Sequence, residues 1–281
     1  MLSTRYRTAL VTGASAGLGA AFVRRLRAEG VVVWGTARNE VRLAEWAEDE
    51  GFHAVVLDLE DEAGAAMAYN RASAEAAGFD LVINNAGYGR FARFTKEDFA
   101  AWRTQVEAML ITPMRLAHLA VAEMLTRDRG CLVNVASLAT EFPLPLMTGY
   151  NVVKAGLSAL SESLQIETKG TGVSVIDFRP GDYRTDFNTA MMPPASPPDS
   201  IPAAVAGDAL AAGCWTVLEK NLRAAPRPEK AASDLAVALR RGHRGVWRSG
   251  GWFQATAAPF LMRFAPSSLG RWVQWRYLGV R

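Results

Sequence analysis

The chain has 281 residues, half of them apolar and 21% charged, a balance that supports a packed core and excludes a mainly disordered chain. Its net charge of +3 is unevenly spread. From Leu235 onward there is no Asp or Glu but eight arginines (Arg240, Arg241, Arg244, Arg248, Arg263, Arg271, Arg276 and Arg281), which leaves residues 1–234 at −5. Two cysteines without paired spacing, Cys131 and Cys214, exclude a disulfide framework and a cysteine metal knuckle and fit a reducing cytoplasm. From the polar start, Met1 to Thr8, no secretory signal is expected, and no apolar run is expected to reach the roughly 20 residues that span a bilayer.

In chain order, strand-like runs fall at Thr8–Val11, Val31–Thr36, Ala54–Leu57, Leu81–Asn84, Gly130–Val135 and Val173–Phe178. They are short, rich in Val, Ile and Leu, and mostly continuous, as strands buried on both faces should be. Helical patterns lie between them, among them Ala20–Glu29, Glu40–Glu50, Phe99–Leu125 and Tyr150–Thr168. In the last, Val153, Leu157, Leu160 and Leu164 recur at helical spacing and form one apolar face. Repeated βα units predict an α/β fold: one doubly wound parallel sheet of Rossmann type, helices on both faces, ligands at the C-terminal strand ends. After Pro180 a proline-dense stretch, 190–202, breaks regular structure. Ala203–Asn221 and Glu229–Arg241 are then expected to be helical, with a last short strand at Gly245–Arg248. The chain reads as a single domain over 1–281, with a substrate lid at about 186–225 and a basic arm at about 242–281 holding Trp247, Trp252, Trp272 and Trp275.

Two places carry chemistry. Thr12-Gly13-Ala14-Ser15-Ala16-Gly17-Leu18-Gly19 follows the first strand and opens a helix. Glycines there permit a tight turn and close approach of a pyrophosphate, which the helix N-terminus attracts. The second strand ends at Ala37-Arg38 without the acidic residue that usually bonds the ribose hydroxyls of NAD. A guanidinium there suits a 2′-phosphate, so NADP(H) is favoured over NAD(H). At the other place, Tyr150 and Lys154 are four residues apart on one helix, thirteen residues or more past Ser137. An ammonium beside a phenol is expected to lower its pKa and fit it as a general acid toward a carbonyl oxygen.

These residues resemble the short-chain dehydrogenase/reductase family. The resemblance rests on Thr12-Gly13-x-x-x-Gly17-x-Gly19, Asp58-Leu59, Asn84-Asn85-Ala86-Gly87, Ser137, Tyr150-x-x-x-Lys154 and Pro180-Gly181-x-x-x-Thr185, in the family's order across residues 7–185. It implies that Gly13, Ser15, Gly17, Leu18 and Gly19 cradle the cofactor. It also implies that Asp58, with Leu59 beside it, bonds the adenine amino group, and that Asn85, Ala86 and Gly87 line the adenine ribose. Ser137 would bond the substrate oxygen, Tyr150 exchange the proton and, with Lys154, contact the cofactor, Lys154 hold the nicotinamide ribose, and Pro180, Gly181 and Thr185 seat the nicotinamide. One position departs: Met109 in Met109-Leu110-Ile111-Thr112-Pro113 stands where the family carries an asparagine thought to hold a relay water. A thioether cannot reproduce that role. The resemblance further implies a homodimer or homotetramer paired through the helices before Ser137 and after Tyr150, where Ala155 and Ala159 permit close approach.

The expected function is NADPH-dependent reduction of a ketone or aldehyde, or the reverse oxidation of an alcohol. Met191, Met192 and Trp215 in the lid point to a hydrophobic substrate. The competing reading is a nucleotide sensor or scaffold that kept the fold and lost efficient catalysis. His53, His118 and His243 lie far apart in sequence, so no metal is expected. Val-Ala-Ser-Leu-Ala around Ser137 is not a hydrolase nucleophile turn. The arm suits packing on the protein itself or on a second subunit, an acidic or acyl substrate, or peripheral contact with an anionic membrane, and no nucleic-acid motif accompanies its charge.

Overall fold

The computed structural model describes residues 1–46, 48–185, 187, 207–260, 266, 268, 269, 272, 275 and 276. Seven parallel strands form one sheet in the order β3-β2-β1-β4-β5-β6-β7: β1 Thr8–Val11, β2 Val32–Ala37, β3 Phe52–Val56, β4 Leu81–Asn84, β5 Gly130–Val135, β6 Val173–Pro180 and β7 Gly245–Ser249. Every residue of β4 and β6 is buried, which is why these runs read as continuous rather than alternating. The strand order reverses between β1 and β4, where a crevice opens beyond the carboxyl ends of the strands.

Helices cover both faces. α1 (Gly17–Ala28) and α7 (Pro228–Arg240) pack on one, around Phe22, Leu26, Leu235 and Phe178. α2 (Glu62–Glu75), α4 (Thr112–Thr126) and α5 (Thr148–Glu167) close the other, around Tyr69, Phe79, Leu116 and Met124. The expected apolar face of α5 packs inward, with Val153 and Leu157 buried and Leu160 and Leu164 against the core. α2 occupies residues to which periodicity assigns no element. Its alanines give the buried stripe little contrast, and Asp61 caps it by accepting from the Gly64 N–H.

Three elements differ from expectation. Residues 40–50 are not an α-helix: a 3₁₀ segment, Glu40–Trp46, buries Leu43 and Trp46 at i, i+3 spacing. Asp49 then leaves the helical path to pair with Arg27 at 2.6 Å and accept the Gly51 N–H. The Phe99–Leu125 stretch is interrupted: α3 (Phe99–Val106) and α4 are joined by a π turn, Glu107–Ile111. Pro113 has no N–H to give the preceding turn and its ring crowds it, so the chain takes an extra residue per turn. Contrary to expectation, the whole run Phe99–Thr126 is long and apolar enough by composition to cross a membrane, but half of its most apolar window is buried inside the fold, as in a core helix. α6 runs Ala209–Ala224, capped by Asp208 through the Leu210 and Ala211 N–H groups, not from Ala203. The remaining lid residues, 186 and 188–206, with Met191 and Met192, lie outside the described residues.

An ionic cluster centred on the buried Arg179 fixes the segment behind Ser137. Arg179 on β6 bonds Glu141 and Glu162 at 2.9 Å each and Asp177 at 2.7 Å, and Arg248 on β7 adds a bond to Glu141.

Candidate active site

One cleft of about 920 Å³ lies at the carboxyl edge of the sheet. It gathers nearly every residue singled out by sequence: Gly13, Ser15, Gly17, Leu18, Arg38, Asp58, Leu59, Asn85, Ala86, Gly87, Ser137, Tyr150, Lys154, Pro180, Gly181 and Thr185. Gly19 is the exception. It lies beneath the loop, where a side chain would collide with the Gly13 carbonyl, so its part is close packing of α1 against the turn.

At the nucleotide end the wall is mostly backbone. Gly13 and Gly17 take φ values of +67° and +54°, a region that disfavours other residues, and a Cβ at Gly13 would meet Ala86 at 2.9 Å. Thr12 Oγ1 accepts the N–H groups of Asn85 and Ala86, stitching the end of β4 to the glycine turn. The Asn85 amide donates to the Thr12 carbonyl at 2.9 Å, so this side chain braces the loop from within the cleft. Arg38 is exposed at the end of β2, with Arg42 also lining the cleft. Asp58 is exposed past β3 and accepts the Glu60 N–H. A bare loop and a twelve-residue helix opening onto it fit the pyrophosphate of a dinucleotide, with Arg38 and Arg42 at the far side.

At the other end three side chains converge. Ser137, two residues past β5, caps a single turn, Leu138–Thr140, its Oγ accepting the Ala139 N–H at 3.0 Å, which leaves its own hydrogen to be donated. Tyr150 and Lys154 enter from the first turns of α5, both buried. The expected lowering of the tyrosine pKa by Lys154 is not found. Burial pushes the phenol up to about 12; the Ser137 hydroxyl pulls it partly back, and the nearby Asp182 charge adds to the rise. Burial also brings Lys154 down to about 8, against the attraction of Asp177. Its Nζ donates to the Val135 carbonyl at 2.7 Å and sits 5.7 Å from the centre of the Tyr150 ring. Desolvation is thus the largest cause of both shifts. Tyr150 is held protonated at neutral pH, the form in which it can give a proton.

Met109 lies in the π turn and lines the cleft. Its Sδ accepts the Tyr88 N–H at 3.4 Å, and its methyl packs where a Cβ on Gly87 would be 2.9 Å away. From α6, Leu218, Asn221 and Leu222 reach the cleft, while Trp215 is buried against Phe91. Phe187 meets the Tyr150 ring edge to face at 5.5 Å. Sequence reasoning did not find Phe142, Leu144, Met147, Asp182 or Gln254, which also line the cleft. Asp182 adjoins the Pro180-Gly181 motif, and that adjacency was its available signal. Gln254, far along the chain, carried none.

A family model described as short chain dehydrogenase matches residues 7–195. A short chain dehydrogenase of Pseudocercospora fijiensis is 29% identical over 245 residues, 83% of this chain and 74% of that protein. An uncharacterized oxidoreductase of Myxococcus xanthus is 34% identical over 192 residues, 66% of this chain and 76% of its own. Among solved structures, a short-chain dehydrogenase from Streptomyces avermitilis superposes with a TM-score of 0.77 at 27% identity, covering 96% of both chains.

Proposed function

The chain belongs to the short-chain dehydrogenase family, a family of NAD(P)-dependent oxidoreductases, and on that premise we propose that it reduces a ketone or aldehyde with NADPH. The observation that carries the reading is the meeting of Ser137, Tyr150 and Lys154 in one buried corner of the cleft. Bound along the glycine turn, the dinucleotide would supply a hydride. Ser137 donates its hydrogen to the carbonyl oxygen and orients it, and Tyr150 delivers the proton to that oxygen as negative charge develops. Lys154 holds a positive charge under the ring and a bond to Val135 that keeps α5 and β5 in step. Arg38, with no acid at the end of β2, supports NADPH over NADH. Leu144, Met147, Phe187 and Leu218 support a hydrophobic substrate.

The lid reading extends to α6, whose Leu218 and Leu222 roof the substrate end. Exposed Ile111 and Met114 around the start of α4, with Val152 and Ile166 on α5, support pairing of two subunits through these helices. Exposed Trp252, Trp272 and Trp275 on the acid-free arm support peripheral contact with an anionic membrane, which sedimentation with anionic vesicles tests against a chain ending near residue 250. Two buried free cysteines support a reducing compartment such as the cytoplasm. NADPH oxidation over a panel of carbonyl compounds, with Tyr150→Phe as control, tests the enzyme reading. NADPH binding without turnover of any of them would replace it with the sensor or scaffold reading, which Met109 in the relay position favours.

A further inference from the structure

The carboxylates that serve this fold are paired with arginine: Glu29 with Arg25 and Arg240, Asp80 with Arg127, Asp177 with Arg179. Asp182 is not. It stands immediately after Gly181, lines the same cleft as Ser137 and Tyr150, and is held by a neutral amide, its Oδ2 accepting from Gln254 Nε2 at 2.7 Å. Gln254 is delivered by a π turn, Phe253–Ala257, just past β7, and packs so tightly on the Gly181 backbone that a Cβ there would meet its Oε1 at 3.0 Å. The carboxyl is therefore positioned, but not neutralised. Its charge is felt by Tyr150, so it lies within electrostatic reach of the proton donor. Burial raises its proton affinity, and the Gln254 bond offsets only part of that rise.

A carboxyl in a largely apolar wall is costly unless a donor meets it. A carboxylate offers about four acceptor sites, and the amide occupies one. A substrate donor brought into the cleft beside the reacting carbonyl would fill another.

We infer that Asp182, positioned by Gln254, is a specificity-determining residue that accepts a hydrogen bond from a hydroxyl or ammonium group carried near the substrate's reacting carbonyl. The inference rests on the reductase reading and names its substrate class: hydroxy- or amino-carbonyl compounds with an apolar remainder. Matched probes test it on the full-length enzyme with NADPH: acetophenone against α-hydroxyacetophenone and α-aminoacetophenone, and butanone against acetoin. The donor-bearing member is expected to be favoured in kcat/KM by about tenfold to a hundredfold, the range of one hydrogen bond to a charged group. The hydroxy and amino arms separate a neutral donor from a cationic one, and preference for either over the plain ketone supports the inference. Asp182→Asn, which keeps the shape, should reduce that ratio, and Asp182→Leu should bring it close to one. An unchanged ratio with equal loss on both members, or a loss confined to NADPH affinity, would overturn it. Turnover by the wild type without any donor preference removes this inference alone, whereas no turnover of any carbonyl compound removes the reductase reading and the inference with it.

Discussion

At the nucleotide end the cleft is lined mostly by main chain, and at the substrate end by side chains from distant segments. Gly13 and Gly17 expose a turn that Thr12, just past β1, ties to Asn85, just past β4, across one pair of neighbouring strand ends. The substrate end draws Ser137 from β5, Tyr150 from α5, Leu218 from α6 and Gln254 from beyond β7. The first arrangement tolerates little change because backbone must approach backbone. The second lets individual walls vary while the proton donor and its neighbour stay in place, so reaction type and substrate choice are carried by separate parts of one cleft.

Mutations that act on one end alone would sharpen this contrast. The largest effect is expected from Tyr150→Phe, which removes the proton donor and should lower kcat by about 10²–10⁴-fold while leaving NADPH affinity, read by fluorescence titration, close to wild type. Comparable losses in both would break the separation of the two ends. Next, Arg38→Asp should shift the NADPH-to-NADH preference by roughly tenfold to a hundredfold, measured as the ratio of kcat/KM values. Equal losses for the two cofactors would remove Arg38 from phosphate recognition.

A pH series addresses Lys154. With the phenol near 12 and the ammonium near 8, the reduction rate should hold steady through neutral pH and decline as Lys154 loses its charge above about 8. Between about 8 and the ordinary lysine value of 10.5, the unfolded chain binds a proton there that the folded chain does not. Stability should therefore rise with pH across that window, by this group's contribution. Lys154→Met should remove both trends, checked by rate profiles and chemical denaturation. The smallest effect is expected from Met109→Asn, which should keep activity within about threefold or raise it, since the asparagine offers hydrogen bonds that a thioether lacks. A larger fall would show that the methionine methyl against Gly87 shapes the pocket.

What was legible in the chain follows from the same contrast. Gly13 and Gly17 could be read because close backbone approach at a strand end demands glycine, whereas Asp58, Asn85 and Thr185 were read from the family resemblance and line the same cleft. Tyr150 and Lys154 were legible because one helix turn separates them, although their mutual electrostatics were not: burial, which no local pattern reports, reversed the expected direction of the phenol shift. α2 escaped because alanine marks neither face of a helix clearly. The π turn follows from Pro113, but how a chain absorbs a missing donor depends on the packing around it. Asp182 and Gln254 are 72 residues apart and meet only because β7 lies beside β6.

The cluster around Arg179 has a thermal consequence. One guanidinium, almost wholly withdrawn from water, faces Asp177, Glu141 and Glu162. The penalty for dehydrating such charges falls on heating, whereas the gain from burying apolar surface levels off. Relative to Arg179→Met, the wild type should therefore gain ground as temperature rises. The loop behind Ser137, anchored through Glu141, would keep its shape longest where the rest of the fold is closest to melting.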